Sequence, residues 1–235
     1  MHALRARLDS VRDRIARAAS RAGRDPASIR LVAVSKTFSA DCVREAAAAG
    51  QVDFGENKVQ EALRKMDDTA GLGLRWHLVG HLQSNKARKA AASFDVVHSL
   101  DDIGLLRQMD EAAGAAGRSI DLLVQVDLAG EPTKHGIRPE ALAPLLEAAR
   151  GCRAARVKGL MLLPPAVSDA DGARPHFREL RRLRDSLADA GVDRAMLREL
   201  SMGMSHDFEV AIEEGATIVR VGSAIFGART PSASV

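Results

Sequence analysis

The 235 residues contain no tyrosine, one tryptophan and six phenylalanines, so aromatics make up only 3% of the chain. A surface that stacks single-stranded bases needs more rings than that. Cysteine is also scarce: Cys42 and Cys152 stand far apart and in no metal-ligand spacing. Neither a disulfide framework nor a zinc module is expected, and the chain reads as cytoplasmic. No stretch approaches the ~20 apolar residues of a membrane-spanning helix. The N-terminal MHALRARLDSVRDRIARAASRAGRD lacks the apolar run of a secretory signal, and Asp9, Asp13 and Asp25 argue against a transit peptide. Within it Leu4, Leu8, Val11 and Ile15 recur at helical spacing, which predicts an amphipathic helix over residues 1–24. No Pro/Gly/Ser-rich linker divides the rest. One domain over residues 1–229 is expected, with TPSASV at 230–235 as a loose tail.

Excess charge is missing too. The formal net charge is +3, and the basic residues are scattered. Their densest cluster, FRELRRLRDSL at 177–187, carries Leu180, Leu183 and Leu187 at helical spacing. It reads as the solvated face of an amphipathic helix and not as a nucleic-acid surface.

What is present is a two-beat pattern. Short runs rich in valine, isoleucine and leucine alternate with alanine-rich helical segments. The predicted strands lie near 29–35, 52–55, 75–80, 94–100, 119–128, 156–164, 197–203 and 217–224. Helical segments such as SADCVREAAAAG and LDDIGLLRQMDEAAGAAG stop at a glycine, as C-terminal capping favours. Strands that alternate with helices pair in parallel through right-handed crossovers. Eight such units in this length fit an α/β fold of one closed (β/α)8 barrel with an extra N-terminal helix. The competing architecture is an open doubly wound sheet. Against it, no G-x-G-x-x-G follows the first strand.

In a barrel the strand C-termini and the loops after them form the active face. Polar residues collect at those positions here: Lys36 after strand one, Glu56 and Asn57 after strand two, His81 and Gln83 after strand three, Ser201 after strand seven, and Arg220, Gly222 and Ser223 around strand eight. Strand alternation puts Lys36 on the side of Val32 and Val34, so an interior face for those carries the lysine inward. Burial favours a neutral amine, the nucleophile that forms Schiff bases. Only seven of the 34 basic residues are lysines, so a lysine at this position suggests that its amine is required. Otherwise Lys36 reaches water along the rim or pairs with Glu56. LSMGMSHDFEVAIEEG and VRVGSAIFG place two small-residue turns on the last two units, where barrels favour phosphate binding. Glycines that only turn the chain are the simpler account of them. Arg220 sits in mid-strand between apolar neighbours, on a face with Ile218 and Gly222, where a guanidinium needs an acceptor; a structural salt bridge would supply one. A lysine nucleophile, a phosphate cradle and an interior arginine together describe a pyridoxal 5'-phosphate site. The other lysine considered, Lys158, falls at the start of its strand, the wrong end for chemistry.

The motifs AVSKT, FGEN, WHLVGHLQSNK, GLMLLPP, LSMGMSHDFEVAIEEG and VRVGSAIFGAR, in order from Leu31 to Arg229, resemble the pyridoxal phosphate homeostasis protein family. That family is similar to the N-terminal barrel of alanine racemase, the fold-type III group. The resemblance implies that Lys36 holds the cofactor as a Schiff base, that Arg220 hydrogen-bonds the pyridine nitrogen, that Ser201, Gly222 and Ser223 hold the phosphate, and that Asn57 lies beside the ring. Some members have proline where this chain has His81, so His81 is read as a rim residue. TKHGI resembles the family's turn after strand five, with Lys134 as a second amine or a solvated loop lysine.

Racemase chemistry of this type uses a tyrosine opposite the lysine, from a second domain that this sequence has no residues for. An arginine at the pyridine nitrogen also donates a hydrogen bond without supplying an acid, which weakens the ring as an electron sink. The expected function is therefore a carrier of pyridoxal phosphate without turnover, meeting apo-enzymes transiently and binding neither nucleic acid nor membrane. A monomer is expected. The alternative is a small racemase or decarboxylase with His81 or His206 as its second base. A barrel that binds RNA or protein after losing the cofactor is disfavoured by the intact Lys36, Ser201 and Arg220 set.

Overall fold

The computed structural model describes residues 2–130 and 135–228. Lys134 and the 230–235 tail, both singled out above, lie outside them. Helix α1 (His2–Arg21) precedes eight strands: β1 (Arg30–Val34), β2 (Asp53–Glu56), β3 (Arg75–Leu78), β4 (Val96–Leu100), β5 (Ile120–Val126), β6 (Ala155–Leu162), β7 (Glu199–Ser201) and β8 (Ile218–Val221). Helices α2 (Ala40–Ala48), α3 (Val59–Asp68), α4 (Ala87–Ser93), α5 (Ile103–Ala115), α6 (Leu142–Arg150), α7 (Arg174–Asp189) and α8 (Phe208–Glu213) fill the seven crossovers, and α9 (Ser223–Phe226) follows β8.

All neighbouring strands pair in parallel, and β8 returns to β1 with Leu31 opposite Val219 and Val32 opposite Arg220. The closed (β/α)8 barrel is therefore correct and the open sheet is not. Local chemistry explains the segment ends. Asp102 caps α5, its carboxylate accepting from the Leu105 N–H at 2.8 Å, and Gly117 (φ +65°) ends the same helix in the left-handed region.

Alternation along each strand divides the apolar residues into two cores. The larger lies between barrel and helices and includes Ala33, Phe54, Val97, Leu122 and Val219. The smaller fills the barrel itself with Val32, Val96, Leu123, Met161 and Ile218. Five apolar side chains occupy only part of such an interior, and buried polar residues such as His77, His98, Ser201 and Arg220 share it. Helix α1 buries Leu4, Leu8, Val11 and Ile15, as its spacing predicts. Arg7 of this helix ties it to α9 and Arg14 ties it to α8: Arg7 Nε donates to Ile225 O at 2.6 Å, and Arg14 pairs with Glu209 while lying over the Phe208 ring.

The arginines of α7 do not merely face solvent. Arg174, Arg178 and Arg181 converge on the buried Glu214 at the end of α8, with N–O distances of 3.2, 2.9 and 3.5 Å. The run is an inter-helix clamp, because one buried carboxylate requires cations from the neighbouring element.

Candidate functional site

A cavity of about 520 Å³ opens at the C-terminal end of the barrel, within the range usual for small-ligand sites. Lys36, Asn57, Arg220, Gly222 and Ser223 all line it, on the exits of β1, β2 and β8. His81 and His206 line it as well. Lys158 belongs to the opposite end, among Arg30, Arg75, Asp121 and Glu199.

Ser201 is the exception among the expected site residues. It is wholly buried and lies outside the cavity lining, and its hydroxyl accepts from Arg220 at 2.5 Å and contacts His98 at 2.9 Å. As a residue of β7 it points into the barrel below the cavity. Ser205, four residues on, lines the cavity instead, and its Oγ accepts from the N–H groups of Gly222 (3.1 Å) and Ala224 (3.3 Å). Gly203 allows this change of level: its φ of +91° turns the chain out of β7, and a Cβ there would collide with Phe208 and Ala211. Gly222 is less tightly constrained: a Cβ there would come within 3.1 Å of Val34 O at the exit of β1, a close approach that small shifts could relieve. Backbone and hydroxyl donors are thus packed close to the strand that delivers Lys36.

The lysine turn is braced from behind. Glu56 does not face the cavity: with Phe54 it points toward the helices, where Lys65 donates to its carboxylate at 2.7 Å and Ser35 Oγ at 2.6 Å. Lys65 also donates to Ser35 O at 2.7 Å and Glu61 at 2.8 Å, and Glu61 in turn accepts from the Thr37 N–H at 2.6 Å. Thr37 has φ +70°, a conformation rare for a β-branched residue and costing about 1–3 kcal/mol. The Glu61 bond helps to hold it. Burial raises the Glu56 carboxyl above its usual range against the pull of Lys65 and Ser35. The same effect on Glu61 is outweighed by its bonds from Lys65 and Thr37, and its carboxyl is lowered. Glu56, weighed as a partner for Lys36, is thereby engaged by Lys65 and Ser35.

Beneath the cavity runs a buried chain of polar groups. Arg220 NH2 donates to Leu162 O at 2.8 Å, while NH1 reaches Ser201. His98 Nδ1 meets Ser201, His98 Nε2 meets His77 Nδ1 at 2.9 Å, and His77 Nε2 meets Asp53 Oδ1 at 2.8 Å. Burial would raise the Asp53 carboxyl, but His77, Arg75 and Arg30 hold it below the usual carboxylate range, so it accepts only. Burial lowers the pKa of His77, and of His98 even further, so each is neutral and carries one N–H. One arrangement then satisfies all four imidazole nitrogens and the Ser201 hydroxyl: Arg220 donates to Ser201, Ser201 to His98 Nδ1, His98 Nε2 to His77 Nδ1, and His77 Nε2 to Asp53. Arg220 itself is lowered to about 10 by burial, with Asp207 opposing, and remains a cation at neutral pH. Two of its five N–H donors are used by acceptors among the described residues, and it also lines the cavity.

Sequence reasoning missed His77, His98, Lys65 and Ser205. The two histidines carry the signal used for Arg220, a polar side chain in mid-strand between apolar neighbours. Lys65 is preceded by Glu61 at i−4, a spacing that usually marks an exposed helical ion pair.

A family model described as alanine racemase, N-terminal domain, matches residues 6–230. Fold and site together define a barrel of the alanine racemase N-terminal class. The chain is 43% identical over 223 residues to a pyridoxal phosphate homeostasis protein of Aquifex aeolicus, covering 95% of this chain and 97% of that one. It is 45% identical over 222 residues to one of Pseudomonas aeruginosa, covering 94% of each. The solved structure of PipY from Synechococcus elongatus with PLP bound matches at a TM-score of 0.85 and 40% identity, covering 95% of this chain and 100% of that one. The chain belongs to the pyridoxal phosphate homeostasis protein family.

Proposed function

We propose that the cavity binds pyridoxal 5'-phosphate as a Schiff base on Lys36, and that the protein carries the cofactor in intracellular homeostasis without turning over a substrate. The observation that carries this reading is the convergence of Lys36, Arg220, Gly222 and Ser223 on one cavity of ligand size. The bound form of PipY supports the choice of ligand. The residues present suit the cofactor's three polar groups. The Lys36 amine would meet the aldehyde, an Arg220 N–H the pyridine nitrogen, and the Gly222–Ser223 turn with Ser205 the phosphate, and Asn57 would flank the ring. Ser201 acts one step back, holding Arg220. When bound, the cofactor supplies a reactive aldehyde and a conjugated ring, which a carrier keeps from adventitious amines. Release to apo-enzymes takes place in transient encounters of a monomer.

Absence of turnover is supported by two features. The 235 residues hold no tyrosine to serve as the opposing base, and Arg220 stays charged and only donates. The names of the relatives point the same way. A second reading, a small racemase or decarboxylase, draws on His81 and His206, which both line the cavity and could supply that base. Exchange of amino-acid α-hydrogen in deuterated water separates the two. The carrier reading predicts cofactor binding with no exchange across a broad amino-acid panel. Exchange that stops in His81→Ala or His206→Ala establishes the enzyme reading.

A further inference from the structure

We propose that His81, Asp101 and His135 form a binding site for a divalent transition-metal ion of the zinc type at the mouth of the cavity. The proposal does not depend on the cofactor reading. The three side chains sit on the exits of adjacent strands β3, β4 and β5, and their ligand atoms lie within 4.8 Å of one another. His81 Nδ1 and Asp101 Oδ2 are 3.6 Å apart. That is close to the ~3.3 Å edge of a tetrahedron with zinc bonds of about 2.0–2.1 Å. His135 is tethered to β5: Gln125 donates to its carbonyl at 2.6 Å, and Ile137 N–H donates to Gln125 O at 2.8 Å.

The state of the imidazoles is the second observation. The His81 and His135 rings stack face to face, with centroids 3.5 Å apart and planes 6° from parallel. Among the described residues neither imidazole makes a side-chain hydrogen bond, whereas each ring nitrogen of His77 and His98 has a partner. The planes are parallel and imidazole lone pairs lie in the ring plane, so a shared ion requires one exposed ring to turn about its χ2, with the ligand atoms already within 4.8 Å of one another. Asp102, next to Asp101, is already committed as the cap of α5. Two imidazoles and one carboxylate suit zinc, copper or nickel, while calcium and magnesium prefer oxygen ligands. Three protein ligands leave a fourth position for water or an anionic oxygen. Because His81 and His135 both line the cavity, a bound ion would join the β3, β4 and β5 exits beside its entrance.

The test is calorimetric titration of tag-free protein with zinc chloride in a non-chelating buffer, with and without pyridoxal phosphate. Cobalt(II) serves as a spectroscopic probe of the same site. The expected result is one equivalent bound, reversed by a chelator, with the absorption of four-coordinate cobalt. His81→Ala, His135→Ala and Asp101→Asn should each weaken binding at least about tenfold, since even losing an outer-shell partner has that effect. Circular dichroism checks that these rim variants keep the fold. The proposal is overturned if wild type binds no zinc, or if stoichiometric binding survives in the His81→Ala/His135→Ala double variant.

Discussion

The barrel contains two close histidine pairs, and they differ in almost everything except residue type. His77 and His98 are wholly buried below the cavity, edge to face with centroids 5.1 Å apart, and each ring nitrogen has a partner. His81 and His135 lie at the mouth, stacked and exposed, with no side-chain hydrogen bond among the described residues. Burial makes the difference. A polar group removed from water must be satisfied by the protein, so the inner pair is fixed in one tautomeric arrangement. The outer pair keeps its lone pairs available because water can satisfy them. The floor therefore sets the orientation of Arg220, and the rim is free to meet what enters.

The contrast can be broken most severely at its buried end. Replacing His98 with Leu strips partners from His77 and Ser201 at once and should cost about 2–5 kcal/mol, read as a lowered urea midpoint. A loss under about 1 kcal/mol would mean that water or repacking substitutes for the chain of bonds. Acid titration probes the same pair. Both folded-state pKa values are depressed, so the stability they contribute is present above the unfolded value near 6.5 and is lost as pH falls below it. With two sites the slope approaches ~2.7 kcal/mol per pH unit, and His98→Gln should remove one proton from it. Glu56, raised by burial, opposes this trend at the acid end. Stability that stays flat from pH 6.5 to 5 contradicts the neutral pair.

Ser201→Ala is a milder cut. It leaves an Arg220 N–H and His98 Nδ1 without a partner, for about 1–3 kcal/mol. If Arg220 meets the ring as proposed, the same variant should also shift the visible absorption of bound cofactor, because the guanidinium loses its bond to Ser201. An unchanged spectrum would mean that Arg220 is held without Ser201. At the rim the effect should nearly vanish: with chelator present, His81→Ala and His135→Ala should each change stability by less than about 0.5 kcal/mol.

The same division explains what was legible in the sequence. The strand–helix alternation and the inward direction of Lys36 and Arg220 follow from periodicity, because side chains on a strand have only two faces to choose between. Val32 and Arg220 even pair across the β1–β8 closure. Depth along the barrel axis is not periodic, and there the reading failed. Ser201 and Ser205 are both serines at a strand exit, and only the turn at Gly203 decides which reaches the cavity. Partners distant in sequence were equally hidden: Lys65 reads as an exposed mate for Glu61, yet it sits buried behind the Lys36 turn with Glu56 and Ser35.

Lys36 is the amine that the braced turn presents to the cavity, and in the proposed function it holds the cofactor. The most direct test of that role is borohydride reduction of the pyridoxal phosphate-loaded protein, followed by mass mapping of the peptides. The prediction is a single pyridoxyl adduct on Lys36, absent from Lys36→Ala. An adduct that maps to another lysine, or that persists undiminished in the variant, would contradict it.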